Sequence, residues 1–321
     1  MRAILVTGGA GYIGSHVCKA LLAAGFLPVT YDNLSKGHRW AVKWGPLIEA
    51  DIHDRVALQK AFQKYGPIAV IHLASFINVR ESLVDPGKYY HNNVAGSLSL
   101  IEEMCASGIK RLVFSSTASV YGAPQYLPID EKHPKNPLHA YGKSKHMVEE
   151  MLKDFFVSHC LSSLSLRYFN ASGADATGEI GEAHDPETHL VPLVLLTALK
   201  KRAQLTIYGN DYPTPDGTAI RDYIHVTDLA EAHVKAVQYL LAHEICTQLN
   251  LGTGQGYSVQ ELIRAVEKVT GRSVKAELGK KSPDSPVLVA DATKAQETLD
   301  WKPNHSDLET IIQTAWRWHE I

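Results

Sequence analysis

Tyr141-Gly142-Lys143-Ser144-Lys145 places a phenol and an ammonium four residues apart. On a helix, that spacing projects both side chains from one face. A phenol that titrates near 10 is a poor base at neutral pH, and bringing it to 7 takes about 4 kcal/mol. One ammonium about 4 Å away, at an effective dielectric of about 20, supplies about that much. Lys145 is therefore expected to hold Tyr141 near the phenolate, ready to take a proton. The pair alone is a weak signal, because a helix with a half-buried tyrosine and a solvated lysine reads the same. Its position carries the weight. It follows the run Ser115-Ser116-Thr117-Ala118-Ser119-Val120-Tyr121-Gly122, at the carboxyl end of an expected parallel strand, where open α/β sheets bind ligands. Thr117 is the hydroxyl expected to donate to a substrate oxygen and share the proton path. Ser115 and Ser116 read as loop and packing residues.

A second chemistry-bearing stretch is Thr7-Gly8-Gly9-Ala10-Gly11-Tyr12-Ile13-Gly14. Gly9, Gly11 and Gly14 satisfy GxGxxG, and Gly8, Gly11 and Gly14 satisfy GxxGxxG. Glycines let the backbone turn sharply and approach a pyrophosphate at a helix N-terminus. A strand precedes the turn and a helix follows it. The acid that such a turn requires about 20 residues further on is Asp32. A carboxylate there accepts from the adenosine ribose and repels a 2′-phosphate, which selects NAD over NADP, although Lys36 and Arg39 follow in the loop. Asp51-Ile52 is expected to close the third strand and bracket the adenine. Taken alone, Asp51 reads equally as a helix cap.

These residues need a frame. Short β-branched runs at 3–7, 27–31, 68–73, 111–116 and 163–169 alternate with amphipathic stretches such as 13–24, 93–107 and 141–158. Strands separated by helices imply βαβ units in a parallel sheet, and right-handed crossovers put helices on both faces. The expected fold is α/β: a doubly wound, Rossmann-like parallel sheet with a smaller α/β substrate-binding lobe. Residues 1–170 form the nucleotide-binding domain, and residues 171–321 form the lobe, with later segments returning to the first domain. Gly and Pro at 173–192 and 209–217 mark loops long enough to close over a ligand. Ser258, Glu261 and Gly271 read as cap, capping box and stop of one helix. Helical patterns at 292–299 and 307–319 end the chain.

Composition narrows the class. The net charge of −2 over 321 residues leaves no basic footprint for nucleic acid. No apolar run approaches the ~18 residues of a membrane span, and the N-terminus lacks a signal-peptide pattern. The four cysteines, Cys18, Cys105, Cys160 and Cys246, lie far apart with no CxxC. They are expected to be buried free thiols in a reducing, cytoplasmic compartment. The sixteen histidines form no metal-ligand spacing, and no metal is expected.

Taken with HLASFINVRES (72–82), YYHNNVAGS (89–97), RYFNASGAD (167–175) and YGNDYPTPDGTAIRDYIHVTDLA (208–230), these motifs resemble the extended short-chain dehydrogenases, and within them the UDP-sugar 4-epimerases. The likeness spans essentially the whole chain. The last run is the most specific, since generic members share only RDYIHV. The resemblance implies NAD-dependent, reversible 4-epimerisation of UDP-glucose and UDP-galactose through a transient 4-keto sugar. It makes Tyr141 the base, Lys145 its modulator and a ribose ligand, and Thr117 the active-site hydroxyl. It assigns Gly8, Gly11, Tyr12, Ile13, Gly14, Asp32, Asn33, Asp51, Ile52, Leu73, Asn92, Tyr168 and Phe169 to NAD. Asn170 and Arg221 would reach the substrate diphosphate, Arg221 as a charged fork, and Tyr208 the uridine. The alternatives are that Asn170 merely caps a turn and that Arg221 makes a surface ion pair. A homodimer is implied through the helices at 93–107 and 141–158.

Three positions depart from the family pattern. Ile77 stands where some epimerases set a lysine against the cofactor. Lys280-Lys281-Ser282-Pro283-Asp284 replaces an arginine pair followed by Pro-Gly-Asp, so Lys281 and Asp284 would contact phosphate without a bidentate fork. Leu288 falls at a position associated with sugar-pocket size, and its intermediate bulk leaves N-acetylated sugars open. Epimerases of UDP-pentoses, UDP-glucuronate or UDP-N-acetylhexosamines remain alternatives. A 4,6-dehydratase would need carboxylates where Ala118 and Ser119 stand. A non-catalytic NAD sensor would not need both Tyr141 and Lys145.

Overall fold

The computed structural model describes residues 1–281 and 285–320; Asp284 lies outside the described residues. The strands are β1 (Arg2–Thr7), β2 (Phe26–Asp32), β3 (Leu47–Glu49), β4 (Ala69–His72), β5 (Arg111–Thr117), β6 (Ser162–Tyr168), β7 (Asn170–Ser172), β8 (Leu205–Tyr208), β9 (Ile220–His225), β10 (Cys246–Leu251), β11 (Gly256–Ser258), β12 (Ala276–Gly279) and β13 (Val287–Leu288). The helices that position the site are α1 (Tyr12–Ala23), α2 (Arg55–Tyr65), α3 (Val79–Val84), α4 (Pro86–Tyr89), α5 (Gly96–Ala106), α6 (Ala140–His159), α7 (Leu190–Ala198), α8 (Val226–Ala242), α9 (Val259–Thr270), α10 (Thr293–Leu299) and α11 (Leu308–Glu320).

Seven strands form one sheet in the order β10-β6-β5-β4-β1-β2-β3, with every pairing parallel. Buried on both faces, these strands read as near-continuous apolar runs, as in the Ile4-Leu5-Val6 centre of β1. One face packs on α1, α8 and α10 through Val17, Leu21, Leu229, Val237 and Leu299. The other packs on α2, α5 and α6 through Leu58, Phe62, Leu100, Met104, Val148 and Leu152. The strand order reverses between β1 and β4, which opens a crevice at their carboxyl ends. The glycine turn sits there.

A second core gathers Val194 and Leu195 of α7, Ile207 of β8, Tyr223 of β9, Leu262 and Val266 of α9 and Ile311 of α11. Beside it lies a sheet in which β9 pairs with β7, β11 and β13. The chain enters this region with β7, returns to the large sheet with α8 and β10, leaves again for β11 and α9, and crosses once more with α10 before α11 ends in the lobe. Helix α9 starts and stops as the sequence implied. Ser258 Oγ accepts from Glu261 N at 3.0 Å, Glu261 Oε2 accepts from Ser258 N at 2.8 Å, and Gly271 ends the helix at φ 66°.

Three expectations are corrected. β3 ends at Glu49, so Asp51 and Ile52 lie in the turn beyond it. The helix expected over 93–107 is an α5 preceded by a π-helical turn, Tyr90–Ala95. Such turns accommodate a side chain that a regular helix would misplace. The cysteines are all free, but only Cys18 is buried; Cys105 and Cys246 are half-buried, and Cys160 is exposed. Cys160 ends α6 in the left-handed region at φ 55°, a helix end that faces solvent.

Candidate active site

His139 caps α6, its Nδ1 accepting from Gly142 N at 3.2 Å, and this fixes where the helix begins. Tyr141 then falls in the first turn and lines a cavity of about 670 Å³. The Tyr141 hydroxyl is hydrogen-bonded to Thr117, a buried residue at the end of β5. Lys145 is 1% exposed, and its Nζ donates to Ser115 O at 2.7 Å and to Ser75 Oγ at 2.8 Å. The ammonium also sits 4.9 Å from the centre of the Phe114 ring. This differs from the expected electrostatics. Burial pushes the Tyr141 phenol up, and the Thr117 hydrogen bond only partly offsets it. Burial likewise lowers Lys145 to about 7, against the opposing pull of Glu149. The nitrogen serves Ser75 and Ser115, so in the chain by itself it does not bring the phenol down.

A buried ion pair lies one turn further along α6. Arg167 Nε and Nη2 donate to the two Glu149 oxygens at 2.8 and 2.6 Å, and Ser116 Oγ donates to Glu149 at 2.6 Å. Burial opposes the Glu149 charge, but these partners hold its carboxyl at about 2. Arg167 Nη1 also donates to Tyr121 Oη at 2.9 Å, which donates to Asn250 at 2.6 Å. Ser116, read as packing, is thus a strut between β5 and α6. Asn93 is a second residue that the sequence reading missed. It joins the π-turn to the loop after β4 through Phe76 N and O, at 2.9 and 3.0 Å, and to α6 through Ser144 Oγ at 3.1 Å.

The glycine turn forms another wall of the same cavity, contributing Gly8, Gly11, Tyr12, Ile13 and Gly14. A Cβ on Gly14 would lie 2.1 Å from Gly8 O, and one on Gly8, at φ 72°, would lie 2.7 Å from Ala74 N. Asp32, Asn33, Ile52, Leu73, Asn92, Tyr168, Phe169, Asn170, Tyr208 and Arg221 line the cavity as well. Asp32 accepts Ala10 N at 3.0 Å and Leu34 N at 2.8 Å; burial raises its pKa, and those two amides pull it back. Asp51 is not part of the lining. It accepts His53 N at 2.9 Å and Asn33 Nδ2 at 2.7 Å, so it organises the turn. Lys281 pairs with Asp211 at 2.9 Å and lies over Tyr212, whose ring lines the cavity, at 4.7 Å. Leu288 packs with Phe169 against Val120 and Tyr121.

The cavity wall includes side chains that the sequence reading did not assign. Arg80 stacks on the Tyr208 ring at 4.4 Å. His184 and His189 lie on the loop over 173–189. Both surround the buried Glu182: His184 Nδ1 is 3.0 Å from its Oε1, and His189 Nδ1 is closer still. Burial works against protonating His184, but Glu182 and Glu187 raise it to about 10. The histidines were read as scattered without ligand spacing. The signal available was a repeated Glu-x-His, in Glu182-Ala183-His184 and Glu187-Thr188-His189. Among the described residues, no helix is long and apolar enough to cross a membrane.

Residues 4–252 match the NAD dependent epimerase/dehydratase family. A UDP-glucose 4-epimerase of Rhizobium leguminosarum bv. trifolii is 50% identical over 317 residues, covering 98% of this chain and 97% of that one. The solved UDP-glucose 4-epimerase of Brucella ovis, in complex with NAD, superposes with a TM-score of 0.97 at 48% identity, over 98% of each chain. That of Stenotrophomonas maltophila, with bound NAD and formylated UDP-arabinopyranose, has a TM-score of 0.96 at 39% identity, over 100% of this chain and 98% of that one. A glycine turn at the sheet crevice, a Tyr141 that lines the same cavity and is hydrogen-bonded to Thr117, and likeness along the full length agree that the chain belongs to the NAD dependent epimerase/dehydratase family.

Proposed function

We propose that the chain interconverts UDP-glucose and UDP-galactose by NAD-dependent 4-epimerisation through a transient 4-keto sugar. The observation that carries this reading is that one cavity joins the glycine turn, Tyr141, and the Asn170–Tyr208–Arg221 wall. The turn fits NAD: Gly8 and Gly14 have no room for a Cβ, whereas a Cβ on Gly11 would meet nothing nearer than 3.3 Å. The backbone is therefore packed beneath and open toward a pyrophosphate. Gly8, Gly11, Tyr12, Ile13 and Gly14 would hold that group. Asp32 and Asn33 would take the adenosine ribose, and Ile52, Leu73, Asn92, Tyr168, Phe169 and Lys145 the remainder. NAD, when bound, supplies the hydride acceptor and donor, and the positive nicotinamide.

Tyr141 removes the proton of the sugar 4-hydroxyl, directly or through Thr117. Arg221 and Asn170 hold the diphosphate, and Tyr208 the uridine, while the keto sugar turns to present its other face. Tyr141 then returns the proton. Positioning carries most of the rate, because one fixed group both removes the proton and returns it. Residues 1–170, with α8 and β10, form the cofactor side, and the rest of 171–321 the substrate side. Leu98 and Met147, exposed on α5 and α6, support a homodimer through those helices. Four free thiols suit the cytoplasm.

The test is a panel of UDP-hexoses, UDP-pentoses and their N-acetylated forms, with product identification. UDP-galactose should yield UDP-glucose. Tyr141→Phe should lower turnover by about 10²–10⁴ and retain NAD. Full NAD occupancy with no conversion of any UDP-sugar would point to a sensor instead.

A further inference from the structure

The loop over 173–189 carries a side-chain cluster that the epimerase reading does not use. Glu182, His184, Glu187 and His189 each offer one ligand atom, and these four atoms lie within 4.8 Å of one another. We propose that these four side chains form a binding site for a divalent first-row metal ion, with zinc the best match. Two imidazoles and two carboxylates are a donor set that zinc accepts in tetrahedral geometry. Bonds of about 2.0–2.1 Å to a tetrahedral ion set its ligands roughly 3.3 Å apart. His184 Nδ1 lies 3.0 Å from Glu182 Oε1 and 3.7 Å from Glu187 Oε1. His189 Nδ1 needs only a small retreat from Glu182. The charges also balance. Two carboxylates bring −2, and one divalent ion between neutral imidazoles brings +2, which a site around the buried Glu182 requires.

The surrounding contacts hold the ligands in place. Glu187 Oε1 accepts Thr188 N at 2.7 Å and His189 N at 2.8 Å, which folds the second Glu-x-His back on itself. Trp318 Nε1 of α11 donates to Glu182 O at 2.8 Å, and a His38 ring nitrogen lies 2.7 Å from Ala183 O. Hydrogen bonds of this kind orient metal ligands. The ion has a structural consequence. His184 meets the Tyr12 ring edge-on at 6.2 Å, so a bound ion pins the loop against the first turn of α1, where the glycine motif ends. It takes no part in the hydride or proton steps, so the site stands or falls independently of the epimerase reading.

The test uses the full-length protein as purified, stripped with a chelator and then titrated with zinc chloride. One ion per chain by elemental analysis is expected, together with an anomalous-scattering peak at the zinc edge among these four side chains in crystals of the loaded protein. His184→Asn and Glu187→Gln should each weaken zinc binding at least tenfold while keeping the parent's far-UV circular dichroism. A stoichiometry well below one, a peak elsewhere, or unchanged affinity in both variants overturns the site. The anomalous peak is read on the unaltered protein, so a variant that misfolds leaves the test intact.

Discussion

At the scale of single residues, helix α6 illustrates how burial competes with charge. Tyr141 and Lys145 share a helix face as their spacing requires, but Lys145 is buried and Tyr141 half-buried on the cavity wall, and withdrawal from water moves each toward its neutral form. Lys145 is held at about 7 by burial, well below an unfolded lysine near 10.4. The sign for stability follows. Between about pH 7 and about pH 10 the unfolded chain binds a proton at Lys145 that the folded chain has shed, so raising the pH over that window stabilises the fold. Below about pH 7 the lysine is charged in both states and contributes no slope. Lys145→Met removes the titration, so the stability advantage of the variant over the parent should shrink from about pH 7 upward. Urea unfolding midpoints of both proteins across that range measure it; parallel curves would show that Lys145 titrates normally. The phenol and ammonium were legible in the sequence because helical periodicity fixes neighbours one turn apart. Their withdrawal from water was not, since it depends on Ser75, Phe114 and Ser115 arriving from other strands and loops.

At the scale of elements, the site depends on how α6 is fastened to the sheet. Glu149 reaches Arg167 of β6 and Ser116 of β5, and Arg167 reaches Tyr121 and through it Asn250 of β10. One buried pair thus sets the height of α6 over three strands, and with it the place of Tyr141 two turns earlier. Arg167→Met would leave the Glu149 carboxylate buried without its partner, a cost of about 3–5 kcal/mol. A matching loss in urea stability is expected, and Arg167→Met combined with Glu149→Leu should recover much of it. If the single variant is as stable as the parent, the pair does not fasten the helix. Strands β1, β2, β4, β5 and β6, α1 and the capped α9 were readable from contiguous signals: glycine spacing, β-branched runs and a capping box. The π-turn and the Arg167–Glu149 strut were not. Each joins residues far apart in the chain, and single-chain periodicity contains no term for such contacts. Asn93 shows the same limit, for nothing beside it in sequence distinguishes it from Asn92.

At the scale of the whole molecule, the chain passes repeatedly between its two cores, and the cavity collects residues from both. Strand β10 and helix α8 come after the lobe has begun yet complete the seven-stranded sheet. The lobe's own strands span only two to six residues, too short for alternation to show. This is why the first half of the fold was legible, while of the second half only α9, α10 and α11 were read and its strands, with α7 and α8, were not. The arrangement has a thermodynamic consequence. On the proposed reading, a UDP-sugar held by Asn170, Tyr208 and Arg221 while its sugar meets Tyr141 would touch both cores, and it would bind only when they are assembled. At a UDP concentration about 100 times its dissociation constant, the folded state gains about 2.7 kcal/mol. For a chain of this size, that corresponds to a rise of roughly 5 °C in the thermal midpoint. Arg221→Ala should lose most of that rise, because the remaining contacts leave a diphosphate without its forked donor. Differential scanning calorimetry with and without UDP reads both quantities. An equal rise in the variant would mean that the diphosphate rests elsewhere in the cavity, with Arg80 or Lys36 the next cations to examine.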